Sequence, residues 1–142
     1  MAKSRTFVVP IDFSRGSDKA FDYALRSARE SKAQLVALNV VPAELLYPPA
    51  VGQFDLYGLM ERDARDRFAK LAKRKGVKTG ECKLVLARGT DFASVIVRQA
   101  KNLRAGMIIM GSHGRTGLSR LMLGSVAERT LRYANCPVLI VK

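Results

Sequence analysis

Met107-Ile108-Ile109-Met110-Gly111-Ser112-His113-Gly114, then nine residues, then Gly124-Ser125-Val126-Ala127-Glu128-Arg129-Thr130-Leu131, joins a strand to a helix through a glycine loop. A short continuous apolar run marks a strand covered on both faces. It ends at Gly111, and Gly124 stands where an amphipathic helical pattern begins. Glycine lets the backbone come close to a ligand because no Cβ intervenes. A helix N-terminus offers unpaired N–H groups and the positive end of the helix dipole. Strand, glycine loop and helix start together describe a cradle for phosphate.

The same alternation runs through the whole chain. Apolar runs predict strands at Thr6–Pro10, Gln34–Val41, Glu81–Arg88, Met107–Met110 and Val138–Val141. Between them lie helical stripes: Ala20, Phe21, Ala24, Leu25 and Ala28; Met60, Ala64, Phe68 and Leu71; Ala93, Ile96, Ala100 and Leu103; Val126, Ala127, Thr130, Leu131 and Ala134. Asn135-Cys136-Pro137 ends the last stripe, since proline cannot continue a helix. The order βαβαβαβαβ predicts an α/β domain with one doubly wound open sheet of five parallel strands and helices on both faces. At 142 residues the chain reads as a single domain, 1–142. Two connections are long: Pro42–Phe54, with Pro48-Pro49 and several apolar residues, and Ser112–Leu123.

Two common phosphate motifs are absent. Gly106 and Gly111 have Walker spacing, but Ser112 stands where the lysine belongs, and the chain holds no G-x-G. What it holds is G-x-x-G-x9-G-[ST], at Gly111, Gly114, Gly124 and Ser125. This pattern, with Val8-Val9-Pro10-Ile11-Asp12-Phe13-Ser14 early in the chain, Leu38-Asn39-Val40-Val41 and the closing Cys136-Pro137-Val138-Leu139-Ile140-Val141, resembles the ATP-binding subgroup of the universal stress protein family. The resemblance covers nearly the whole chain and implies strand order 3-2-1-4-5. Asp12 and Gly111 then meet at the crevice where strand order reverses, the usual ligand position in such sheets. It further implies an adenine pocket lined by Pro10 and Val40, with Met110 beside it. Asp12 would face the ribose or a metal on the phosphates. The phosphates would lie on Gly111, Gly114, Arg115, Gly124 and Ser125 and on the amides of Val126 and Ala127. The implied ligand is ATP, with Mg²⁺ on its phosphates.

Each of these residues has a plainer reading. Asp12 also suits a turn or a helix cap near Ser14 and Ser17. Ser125-Val126-Ala127-Glu128 is an S-x-x-E capping box, which alone accounts for the serine. Pro10 and Val40 also suit strand ends. His113 sits in the glycine loop, but no carboxylate in sequence orients it, so it reads as loop packing rather than catalysis. Arg115 and Arg120 could neutralise phosphate or simply be solvated. With no evident base or Walker lysine, no catalytic residue is assigned and at most slow ATP hydrolysis is expected.

Composition bounds the rest. There are 25 Lys+Arg against 12 Asp+Glu, and the basic residues concentrate from Arg62 to Lys78. Such clustering suits nucleic acid. It equally suits a solvated helix, because Glu61–Arg65, Asp63–Arg67 and Asp66–Lys70 are (i, i+4) pairs in the favourable order. The alternative function is therefore an interaction module that uses the basic helix, its pocket vestigial or tuned to AMP or a cyclic nucleotide. The absence of an aromatic platform among the cations disfavours nucleic acid. One histidine and two distant cysteines, Cys82 and Cys136, point to no metal site and to free thiols. No run reaches the length of a membrane span, and Met1–Thr6 carries no apolar signal core, so a cytoplasmic protein is expected. Val138–Val141 is an apolar strand at the end of the chain. On an edge it invites a second copy, and the resemblance implies the same homodimer.

Overall fold

The computed structural model describes residues 5–43, 55–113 and 122–142. Among them are five strands and four helices in alternation: β1 Thr6–Pro10, α1 Arg15–Ser31, β2 Gln34–Pro42, α2 Leu56–Arg74, β3 Cys82–Gly89, α3 Phe92–Asn102, β4 Met107–Gly111, α4 Ser125–Tyr133 and β5 Val138–Val141. All strand pairs are parallel, and the sheet order is β3-β2-β1-β4-β5, as expected. The element ends differ from the sequence expectation by one residue in three strands. β2 and β4 each gain a final residue, Pro42 and Gly111, and β3 is shifted to Cys82–Gly89.

Side chains alternate across the sheet, and each face is closed by two helices. Phe7, Val9, Leu35, Ala37 and Ile109 pack under α1 and α2, where Phe21 meets Phe68 edge to face at 6.3 Å. Val8, Val36, Leu38, Ile108 and Met110 pack on the other face under α3 and α4, through Val95, Ile96, Ala100 and Ala127. Val8, Val9, Ile108 and Ile109 are wholly buried, which is why β1 and β4 read as unbroken apolar runs.

This winding brings the starts of all four helices and the carboxyl ends of the strands to one rim of the sheet. Ser14 caps α1 by accepting from the Ser17 N–H at 3.3 Å, Asp55 caps α2 from Gly58 at 2.9 Å, and Asp91 caps α3 from Ser94 at 3.4 Å. α1 ends on Lys32, which takes the left-handed conformation (φ 55°) and donates its N–H to the Ala28 carbonyl.

Candidate functional site

The rim beyond β1 and β4 is built by very close backbone packing. A Cβ on Gly111 would stand 2.8 Å from the Gly16 carbonyl oxygen, and one on Gly16 would stand 2.5 Å from the His113 carbonyl oxygen. A Cβ on Gly124 would stand 2.9 Å from the Ser112 oxygen, which itself accepts from the Gly124 N–H at 2.7 Å. The starts of α1 and α4 therefore both lie against Gly111-Ser112-His113. Sequence reasoning ascribes the glycines at 111 and 124 to ligand approach. The structure gives them a nearer duty, the approach of protein backbone to protein backbone.

At the end of β1 the chain turns sharply into α1. Asp12 Oδ1 accepts from the Ser14 N–H at 3.0 Å, and the Asp12 N–H donates to Ser17 Oγ at 3.3 Å. Ser17 Oγ donates in turn to the Ser14 carbonyl at 3.2 Å. Phe13, between Asp12 and Ser14, adopts φ 64°, a left-handed conformation unusual for a bulky residue. The Arg67 guanidinium of α2 lies over its ring at 5.8 Å. The turn reading of Asp12 is thus realised, on the strand that pairs with β4.

The start of α4 is different. Its N-cap is Gly124 (φ −61°, ψ 153°), with no side-chain cap, and Ser125 is the first helical residue. The capping box expected from Ser125 and Glu128 does not form. The helix begins one residue too early for Ser125 to be the cap, and Glu128 pairs with Arg132 at 2.7 Å instead of reaching back. The first helical rung is Glu128 N–H to the Gly124 carbonyl. The amides of Ser125, Val126 and Ala127 have no acceptor among the described residues. α4 is held from outside by Arg129, which grips both carboxylate oxygens of Asp91 at 2.7 Å. That grip and the Ser94 bond hold Asp91 well below the usual carboxylate range, at about 2.

Of the residues assigned from sequence, Pro10, Asp12, Val40, Met110, Gly111, Gly124, Ser125, Val126 and Ala127 lie on strand ends, on the β1–α1 turn and at the α4 start around this rim. Gly114 and Arg115, like Arg120 and most of the Pro42–Phe54 connection, fall outside the described residues. His113 has a partner that sequence reasoning missed: its Nδ1 lies 3.0 Å from Ser112 Oγ. Its Nε2 is buried without a hydrogen-bond partner. Asn39 was also missed as a functional candidate. Its Nδ2 donates to the Ile11 carbonyl at 2.9 Å. The visible signal is one carboxamide inside the apolar run Leu35–Val41.

Half of the basic stretch is paired among the described residues. Arg65 and Arg67 pair with Glu61 and Asp63 as expected, whereas no Asp66–Lys70 pair is found among the described residues. Arg74 and Lys75 reach across to Asp18 and Asp22 of α1 at 2.7 and 2.8 Å, so part of the charge clamps α2 to α1. Both cysteines are free and half-buried, and burial pushes the Cys82 thiol up to about 11. Among the described residues no three His, Cys, Asp or Glu side chains could share a metal, and no helix is long and apolar enough to cross a membrane.

A five-stranded parallel sheet of order 3-2-1-4-5, with a carboxylate turn and a helix start without a side-chain cap at its switch point, defines a doubly wound α/β protein. The chain belongs to the universal stress protein family, whose model matches residues 3–142. A universal stress protein of Methanocaldococcus jannaschii is 36% identical over 143 residues, spanning 97% of this chain and 82% of that protein. Among solved structures, the hypothetical protein MJ0577 is 26% identical with a TM-score of 0.78, covering 99% of this chain and 97% of that one. A universal stress protein solved in complex with cAMP has a TM-score of 0.71 at 21% identity, covering 99% of both chains.

Proposed function

We propose that the crevice beyond β1 and β4 binds an adenine nucleotide, ATP with Mg²⁺, and that its occupancy serves regulation rather than turnover. The observation that carries this reading is the open start of α4. Its three first-turn amides and the positive end of its dipole sit on the glycine end of β4, the strand beside β1. In this reading the phosphates lie against Gly111, Gly124, Ser125, Val126 and Ala127, with Gly114 and Arg115 from the intervening loop. Asp12 meets the ribose, and the base lies between Pro10, Val40 and Met110. Mg²⁺ arrives on the phosphates, because Asp12 alone among these residues offers a carboxylate. The cAMP complex of the related protein supports an adenine ligand.

His113 packs against Ser112 and meets no carboxylate among its described partners, so turnover is expected to be slow or absent. A homodimer is part of the proposal, paired through Val138–Val141, which forms a half-buried edge strand without a charged residue. So is a cytoplasmic setting. The alternative, a nucleic-acid or protein interaction module working through the basic helix, is weakened by the clamps that Arg74 and Lys75 make to α1.

Calorimetric titration with ATP, ADP, AMP, cAMP and GTP, with and without Mg²⁺, tests the reading. Adenine nucleotides binding more tightly than GTP is the expected result. Salt-sensitive retention on a polyanion that ATP does not displace, with no heat from any nucleotide, would give the alternative precedence.

A further inference from the structure

The β1–β2 ladder ends with β1, at Pro10, while β2 runs on to Pro42. The register ends at Pro10↔Leu38, and one further bond runs from the Ile11 N–H to the Leu38 carbonyl at 2.8 Å. In a parallel ladder the next rung would carry the Val40 N–H to the Ile11 carbonyl. That rung would extend the register to Ile11↔Asn39, and it is not formed. The Ile11 carbonyl accepts instead from the Asn39 side chain, at 2.9 Å. β2 is not fraying, because its other edge stays paired with β3 as far as Pro42↔Gly89. The split is one-sided and lies between β1 and β2, on the rim where Asp12 turns away.

We propose that Asn39 is a positioning residue for base recognition: its carboxamide takes the Ile11 carbonyl and so leaves the Val40 peptide edge to a purine. The inference rests on reading the crevice as an adenine-nucleotide site. Asn39 shares its face with Leu35 and Ala37, beneath α1 and α2, and reaches sideways to β1. Only the NH₂ of the carboxamide can donate to a carbonyl, which fixes its orientation. In an extended strand the N–H and C=O of one residue point to the same side, so both polar groups of Val40 face the gap. A donor beside an acceptor matches adenine, which offers N1 as acceptor and its 6-amino group as donor. Guanine offers the reverse, O6 as acceptor and N1–H as donor. A backbone edge kept open in this way selects adenine, and a site built to hydrogen-bond one pattern rejects the other strongly.

The experiment compares wild-type protein with Asn39→Val and Asn39→Asp. Valine removes the donor and lets the ladder close by one rung. Aspartate keeps the shape and sets an acceptor against the carbonyl. Two readouts are taken: amide hydrogen exchange at Val40 in ligand-free protein, and binding of ATP, GTP and inorganic tripolyphosphate. The expected result is rapid Val40 exchange in wild type, slowed in Asn39→Val. Both variants lose about tenfold in ATP affinity and most of the preference for ATP over GTP, while tripolyphosphate binding stays within about twofold. A generally loosened fold would weaken tripolyphosphate as well. Slow Val40 exchange in wild type, or ATP-over-GTP preference unchanged in both variants, overturns the proposal. Wild-type protein that binds tripolyphosphate and ATP alike also overturns it and leaves the phosphate cradle standing. Wild-type protein that binds neither overturns the nucleotide reading itself.

Discussion

Two helices begin against the same three residues, Gly111-Ser112-His113, and they begin differently. α1 enters through Asp12, Ser14 and Ser17, whose side chains satisfy the turn and cap the Ser17 N–H. α4 enters through a glycine with no side-chain cap. Elsewhere in the described residues Asp55 and Asp91 cap α2 and α3, so the chain has the means to close a helix start and does not use them at α4. One start has a side-chain cap. The other keeps three donors and a partial positive charge facing a crevice, the condition an anionic ligand satisfies.

The sharpest way to break the comparison is to push the two starts apart. Gly111→Val places a branched side chain on the Gly16 backbone, which cannot move without shifting α1. We expect a loss of about 3 kcal/mol of folding stability, read from urea denaturation. Gly124→Ala meets the Ser112 oxygen and is expected to cost stability too, so substitution of this glycine reports on packing as well as on ligand.

The caps themselves come next. Ser14→Ala is expected to destabilise the protein by about 1 kcal/mol. Ser125→Ala, at a first helical position that caps nothing, is expected to stay within about 0.5 kcal/mol of wild type. It should instead lower ATP affinity by about fivefold. Equal stability losses in the two variants would show that the starts do not differ as described.

A further substitution acts on α4 without touching its open end. Thr130 is fully buried and its hydroxyl has no partner. Thr130→Val should therefore leave ATP affinity unchanged and stabilise the fold by up to about 1 kcal/mol, seen as a raised melting temperature.

The smallest effect concerns the clamp that ties α4 to α3. Asp91 is lowered from 3.8 to about 2 by Arg129, so its folded pKa lies below its unfolded value. The stabilisation is present above pH 4 and is lost as pH falls through about 2. The pair is largely exposed, so the loss should be small and salt-sensitive. Arg129→Ala should flatten the acid limb of stability between pH 4 and 2, measured by denaturation at each pH.

Much of this was legible in the residues. Five apolar runs gave the strands to within a residue, because strands covered on both faces leave no room for polar positions. Strand order came from the family likeness, since apolar runs carry no information about which strand neighbours which. The start of α4 was misread because Ser125 and Glu128 have capping-box spacing. The sequence also places Arg132 four residues beyond Glu128, a competing (i, i+4) partner that the capping-box reading left out. Gly111 and Gly124 were read for ligand alone, because the approach of α1 and α4 to the end of β4 is a tertiary fact. Asn39 was passed over inside an apolar run, and its use is visible only beside the missing rung from Val40 to Ile11.

The most direct test follows backbone amide signals of isotope-labelled protein during titration with Mg²⁺–ATP, and again with tripolyphosphate. The amides of Ser125, Val126 and Ala127 should shift strongly with both ligands. That of Ser17, already capped by Ser14, should shift little, and Val40 should respond to ATP alone. Saturable shifts centred on α1 or on the basic face of α2, with the start of α4 unmoved, would contradict the account.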